Sequence, residues 1–305
     1  MDAVPTVALI TSEYALSSPI DADRELDLIV GALAERGVDG RVIDWRDPSA
    51  DYSGLDLVLI KSPWDYAPRA AEFLAWLAKA EALAPVLNHP ELVRWNLDKT
   101  YLAALAARGV AVCPTKFCGR IEDVQAALAA AAGQVVLKPS VSAASADTGL
   151  FDPDDRAAMR LAEQIFAQGK VVMVQPAIPS VATVGERSLI HFDAEFVHAI
   201  VKGPLLALGG GLLGGEYQET ITVADAPDDE RELARSALAS VDSIFAGRGL
   251  PDACPPLYAR VDIAREASGR PVLMELELFE PCYFLDLVPG VEHRFADAVL
   301  ARLRA

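Results

Sequence analysis

The chain has 305 residues, 52% hydrophobic and 23% charged, a globular composition with room for two or three packed units around one cleft. Its net charge of −17, with no run of Lys or Arg, argues against nucleic acid and anionic membrane as partners. No apolar run nears the roughly 20 residues that span a bilayer, and the acidic start, Met1-Asp2-Ala3, is unlike a basic cleavable leader, so a cytoplasmic location is expected.

Val7-Ala8-Leu9-Ile10 reads as a buried strand. Residues 23–36 carry a helical stripe (Leu26, Ile29, Val30, Leu33) that Gly37 ends. Strands at 40–45 and 56–61, a helix at 67–83 and a short strand at 86–88 follow. Strands alternating with helices predict a largely parallel sheet, with ligands at the carboxyl ends of its strands. From residue 96 the pattern changes to helix 99–108, strand 113–117, helix 121–132, strand 134–138, a small-residue loop at 140–149, helix 156–168 and strand 171–175. The last third predicts antiparallel strands at 188–192, 195–201, 217–223, 258–264 and 271–278, with helices at 228–246 and 291–304. The units expected are 1–95 (α/β), 96–180 (small α+β) and 181–305 (largely antiparallel). The four cysteines show no CxxC or Cys/His spacing and read as reduced, structural thiols.

Gly209-Gly210-Gly211-Leu212-Leu213-Gly214 fits GxGxxG, but a β-prone run follows it where a dinucleotide fingerprint opens a helix. A flexible loop is the better reading. No P-loop, GxSxG or HExxH is present, and His89, His191, His198 and His293 each stand alone.

Three features carry chemistry. Strand alternation puts Glu275 and Glu277 on one face, and Arg260 and Asp262 together on another strand's face. If those strands are neighbours, three carboxylates converge, at a cost that calls for a cation. A few hard oxygen ligands suit Mg²⁺ shared with phosphate. Second, Lys99 opens a helix and Lys138 ends a strand before a Ser/Ala/Gly loop, a setting suited to phosphate. Third, the apolar strand ending at Gln175-Pro176-Ala177-Ile178 is followed by Gly185-Glu186; its edge could offer backbone groups to adenine.

The order of these pieces resembles the ATP-grasp superfamily from about residue 88 to 281. More narrowly, Ser62-Pro63-Trp64-Asp65-Tyr66, Arg94-Trp95-Asn96-Leu97-Asp98-Lys99, Lys138-Pro139-Ser140, Gly185-Glu186 and Glu275-Leu276-Glu277-Leu278-Phe279-Glu280-Pro281 resemble the branch that includes cycloserine synthetase, an O-ureidoserine cyclo-ligase. The resemblance implies an ATP-grasp fold, with Lys99 and Lys138 on ATP phosphates under a loop containing Ser140, Ser142 and Ser145. Gln175, Ala177 and Ile178 would hold adenine, with Glu186 near the ribose. Asp262, Glu275 and Glu277 would bind two Mg²⁺ ions, Arg260 and Lys202 would face the transferring phosphate, and Trp64, Asp65 and Tyr66 would line the acceptor pocket.

The implied activity is ATP- and Mg²⁺-dependent activation of a small amino-acid-like carboxylate as an acyl phosphate. A nitrogen then captures it, closing a ring if that nitrogen belongs to the same molecule. Intermolecular ligation of an amine and a non-catalytic ATP-binding regulator are the competing readings, and a homo-oligomer is left open. Two departures stand out: Glu277 occupies a position commonly Asn, and residues 202–208 lack the arginine usual in related chains.

Overall fold

The computed structural model describes residues 4–19, 22–212 and 220–304. Thr6–Thr11 (β1) is buried along its length and leads into a short helix, Glu13–Ser17 (α1), capped by Ser12 Oγ. Leu26–Ala34 (α2) precedes Asp39–Asp44 (β2) and Leu57–Ser62 (β3); Ala70–Glu81 (α3) then leads to Val86–Leu87 (β4). The four strands pair in parallel in the order β2-β1-β3-β4. Alternate residues of β1 and β3 serve opposite faces. Val7, Leu9, Leu57 and Leu59 pack on α2, while Ala8, Ile10, Val58 and Ile60 pack on Phe73, Trp76 and Leu77 of α3. A sheet covered on both faces needs continuous apolar strands, and these strands have them.

Pro90–Asn96 (α4) and Tyr101–Ala106 (α5) connect to the second sheet. That sheet comprises Lys116–Cys118 (β5), Val135–Pro139 (β6), Gly149–Phe151 (β7) and Val172–Pro176 (β8), antiparallel in the order β5-β8-β6-β7. Ile121–Ala129 (α6) and Arg156–Ala167 (α7) cover it. After Pro179–Thr183 (α8) come Glu186–Phe192 (β9), Glu195–Lys202 (β10), Ile221–Ala224 (β11), Asp228–Gly247 (α9), Tyr258–Arg265 (β12) and Pro271–Glu277 (β13). This third sheet is antiparallel, ordered β11-β10-β9-β12-β13. Leu189, Val261, Ile263 and Leu276 pack beneath α9, which leaves Arg260, Asp262, Glu275 and Glu277 to face the cleft. Val291–Leu303 (α10) packs against α2 and β9.

Several boundaries differ from expectation. Helix α2 begins at Leu26, not residue 23, because the Asp23 and Glu25 side chains are turned toward Lys61. Strand β5 begins at Lys116 rather than 113; Pro114 has no N–H for a ladder, and Thr115 Oγ1 is bonded to the Cys113 carbonyl. Helices α1, α4 and α8 and strand β7 are additions. The expected strand at 217–223 falls partly on residues 213–219, outside the described residues, and β11 starts at Ile221. Among the described residues no helix is long and apolar enough to cross a membrane. All four cysteines are free, and Cys113 and Cys118 are buried.

Candidate active site

A cleft of about 1470 Å³ runs between the second and third sheets and reaches the segment between α1 and α2. Its charged floor follows from strand register. On β12 and β13, Arg260 sits opposite Glu277 and Asp262 opposite Glu275. On β9 and β10, Glu186 sits opposite Lys202. Alternation places all six on one face.

The distances are those of a dense ion network. Arg260 Nε donates to Asp262 Oδ1 at 2.9 Å, and its Nη2 reaches both Asp262 and Glu277. Lys202 Nζ bridges Glu186 Oε1 at 2.8 Å and Asp262 Oδ2 at 2.9 Å. Lys99 Nζ lies 3.1 Å from Glu275 Oε1 and donates to the Ser142 carbonyl at 2.7 Å, and Lys138 Nζ is 4.0 Å from Glu275 Oε2. Lysines from two distant segments therefore meet at the Glu275 carboxylate of β13.

Burial opposes charge on every acid here, and the neighbours decide the outcome. Arg260 and Lys202 overcome it at Asp262, whose carboxyl is held below the usual range. Lys99 and Lys138 do the same for Glu275. Glu277 is pushed up to about 7 by burial, with Arg260 only partly offsetting it against the charges of Asp262 and Glu275. Glu280 is also raised, by burial and then by Glu277.

Asn88, Asn96 and Tyr101 hold the strand that carries these acids. Tyr101 Oη donates to the Leu276 carbonyl and accepts from the Leu276 N–H, both at 2.8 Å. Asn96 Nδ2 donates to the Leu276 carbonyl at 2.7 Å, and its Oδ1 accepts from Leu278 N at 2.8 Å. Asn88 Nδ2 donates to the carbonyls of Tyr258 and Leu278. Lower down, Leu273 exchanges backbone bonds with Ala111 and Cys113. The outer edge of β13 is thus paired residue by residue, which fixes where Glu275 and Glu277 point.

The remaining expected residues divide. Gln175 is buried and receives support from Thr115 Oγ1, to which its Nε2 donates at 2.8 Å; Gln175, Ala177 and Ile178 all line the cleft. The Ala177 N–H is already bonded to the Gln134 carbonyl at 2.8 Å, so it is not a donor for a ligand. Ser142 and Ser145 line the cleft, whereas Ser140 does not; the Ser140 carbonyl instead receives the Lys99 N–H at 2.8 Å. Ala144, Ser145 and Asp147 adopt left-handed backbone at φ of 48°, 54° and 53°.

Trp64 lines the cleft. Asp65 does not, a correction to the acceptor-pocket expectation: it accepts from Trp45 Nε1 at 2.7 Å and lies near Arg46 and Arg69. Tyr66 is buried behind the wall, and its Oη donates to Glu280 Oε1 at 2.5 Å. Glu280 itself lines the cleft.

Among the described residues no three His, Cys, Asp or Glu side chains stand close enough to enclose a metal ion. The expected convergence of carboxylates is met as a set of ion pairs, each acid turned to a cation, and a preassembled cage is not. The donors are nevertheless hard oxygens gathered on one face of the third sheet. That set fits Mg²⁺ held by one or two carboxylates and completed by phosphate oxygens and water.

Residues 7–88 match the family described as the N-terminal domain of D-cycloserine synthetase DcsG. The chain is 37% identical over 309 residues to the cycloserine biosynthesis protein DcsG of Streptomyces lavendulae, covering 98% of this chain and 99% of that one. The crystal structure of D-cycloserine synthetase DcsG matches with a TM-score of 0.88 at 35% identity, over 98% of this chain and 99% of the other. At 17% identity, the ATP-grasp ligase PsnB, solved with precursor peptide PsnA2 and AMPPNP, shares the fold with a TM-score of 0.62 over 98% of each chain. With this identity held over nearly its whole length, the chain belongs to the DcsG family and is an ATP-grasp carbon–nitrogen ligase.

Proposed function

We propose that the protein uses ATP to convert the carboxylate of a small amino-acid-like substrate into an acyl phosphate, which a nitrogen of the same molecule then captures to close a ring. The observation that supports this reading is the meeting of Lys99, Lys138, Lys202 and Arg260 with Asp262, Glu275 and Glu277 in one cleft. Phosphoryl transfer needs positioning and charge neutralisation more than a side-chain nucleophile, and this floor offers both.

Lys99 and Lys138 are assigned to ATP phosphates, under the 140–148 loop with Ser142 and Ser145. Gln175 and the Ile178 backbone are assigned to adenine, and Glu186 to the ribose. Arg260 and Lys202 face the transferring phosphate, and residues 202–208 supply no arginine for that task. Asp262, Glu275 and Glu277 would hold two Mg²⁺ ions; PsnB has been solved with Mg and ADP. When bound, magnesium would draw charge from the phosphate oxygens. The consecutive ranges of the three sheets support treating 1–95, 96–180 and 181–305 as three units around one cleft.

In the first step a carboxylate oxygen bonds to the γ-phosphorus and ADP leaves. In the second, nitrogen bonds to the acyl carbon, phosphate departs with the former carboxylate oxygen, and the nitrogen loses a proton. Holding both ends of one molecule in the cleft supplies much of the rate of closure. The test is ADP release from ATP and Mg²⁺ with a panel of amino-acid-like acids, followed by product mass. Acid-dependent release with a product lighter than the acid by one water supports ring closure. A product joining two molecules points to intermolecular ligation, and ATP binding without turnover for any acid points to a regulator.

A further inference from the structure

Glu280 follows β13 and is only 8% exposed, yet it lines the cleft. The other buried or half-buried acids of that wall each have a cation: Glu275 has Lys99, Glu277 has Arg260, Asp262 has Arg260 and Lys202, Glu186 has Lys202, and Asp23 has Lys61. Among the described residues no Lys, Arg or His forms an ion pair with Glu280. Its side-chain oxygen instead accepts from the neutral hydroxyl of Tyr66, at 2.5 Å. The charge of Lys99 reaches Glu280 but is paired with Glu275, and a buried carboxylate with no cation of its own is costly unless one joins it.

The surroundings suit an organic cation. Tyr66 is fixed by Phe279 and Phe73, with ring centroids at 5.2 and 5.4 Å. Trp64, a cleft residue, donates its indole N–H to the Glu280 carbonyl at 3.0 Å. A carboxylate beside aromatic walls is a setting for an ammonium, whereas Mg²⁺ demands six oxygens and keeps several waters. We propose that Glu280 binds the ammonium group of the amino-acid-like substrate, and that Tyr66 positions the Glu280 carboxylate for it. This inference rests on the ligase reading above and adds the group by which the substrate is selected.

The test compares an ammonium-bearing acid with its des-amino analogue, in wild type and in Glu280→Gln, by acid-dependent ADP release. Gln keeps the shape and an oxygen for Tyr66 but removes the charge. The wild type is expected to favour the ammonium acid by about 30-fold or more in kcat/KM, and Glu280→Gln to lose most of that preference. KM for ATP and for Mg²⁺ should stay within about twofold. Tyr66→Phe, which retains the ring packing, should raise KM for the ammonium acid by about fivefold without changing KM for the analogue; it also serves if Glu280→Gln fails to fold.

An unchanged preference in either variant overturns the assignment. So does a parallel rise in KM for Mg²⁺, which would make Glu280 a metal ligand. If the wild type releases no ADP with any acid, the ligase reading itself falls and the role of Glu280 with it.

Discussion

Tyr101→Phe removes one oxygen and loosens the strand that carries the metal-site acids. In the native protein that oxygen serves both backbone groups of Leu276, the residue between Glu275 and Glu277. The two groups are affected unequally. The Leu276 carbonyl retains Asn96 Nδ2 at 2.7 Å, but the N–H loses its acceptor. Asn96 Oδ1 does not replace it, being engaged by Leu278 N. An orphaned buried N–H costs about 1–3 kcal/mol, and the lost hydroxyl-to-carbonyl bond adds about 1. The expected local penalty is about 2–4 kcal/mol. The ring's packing on Trp95, at 5.2 Å, survives the change. Native-state hydrogen exchange of the Leu276 amide reads this directly: protection should fall by about 30- to 1000-fold, since each 1.4 kcal/mol is a factor of ten. Protection within about threefold of wild type would refute the claim that this hydroxyl holds the strand.

Gly185→Ala should be severe. At φ +96° its added Cβ would lie 2.2 Å from the Lys202 carbonyl oxygen, so β9 and β10 must part where Glu186 faces Lys202. A loss of about 3 kcal/mol or more in urea unfolding is expected, and a wild-type midpoint would contradict it. His191 is buried with its pKa pulled from 6.5 down to about 4, chiefly by burial. The unfolded chain therefore takes up this proton first, and the neutral imidazole's contribution, complete above about pH 6.5, is lost as pH falls toward 4. Relative to wild type, His191→Gln should gain up to about 3 kcal/mol in unfolding free energy between pH 7 and pH 4; a pH-independent difference would count against it.

The sequence carried the charged face of the third sheet because alternation is local: Glu275 with Glu277 and Arg260 with Asp262 are each two residues apart. Lys138 stood out because it ends an apolar run before small residues. What holds those groups was less visible. Asn88, Asn96 and Tyr101 reach across more than 160 residues of chain to their partners, and no short-range pattern announces such contacts. Lys61 read as the end of a strand, yet it is buried against Asp23 and Glu25, with the Tyr283 ring at 4.7 Å.

Helix α4 had a usable signal: Pro90 at its first turn, Glu91 beside it, and His89 as the cap. Strand β7 did not, because three residues within a loop become a strand only when β6 pairs with them. Asp65 misled for a related reason. Its place in a motif beside Trp64 suggested the cleft, while its contacts lie with Trp45, Arg46 and Arg69.

Glu275→Gln tests most directly whether this cleft is the catalytic centre. Glu275 is where Lys99 and Lys138 meet the acids of β13, and the substitution removes its charge at nearly constant shape. Acid-dependent ADP release should fall by about 10³-fold or more, with circular dichroism unchanged. Turnover within about threefold of wild type in a folded Glu275→Gln protein would contradict the account.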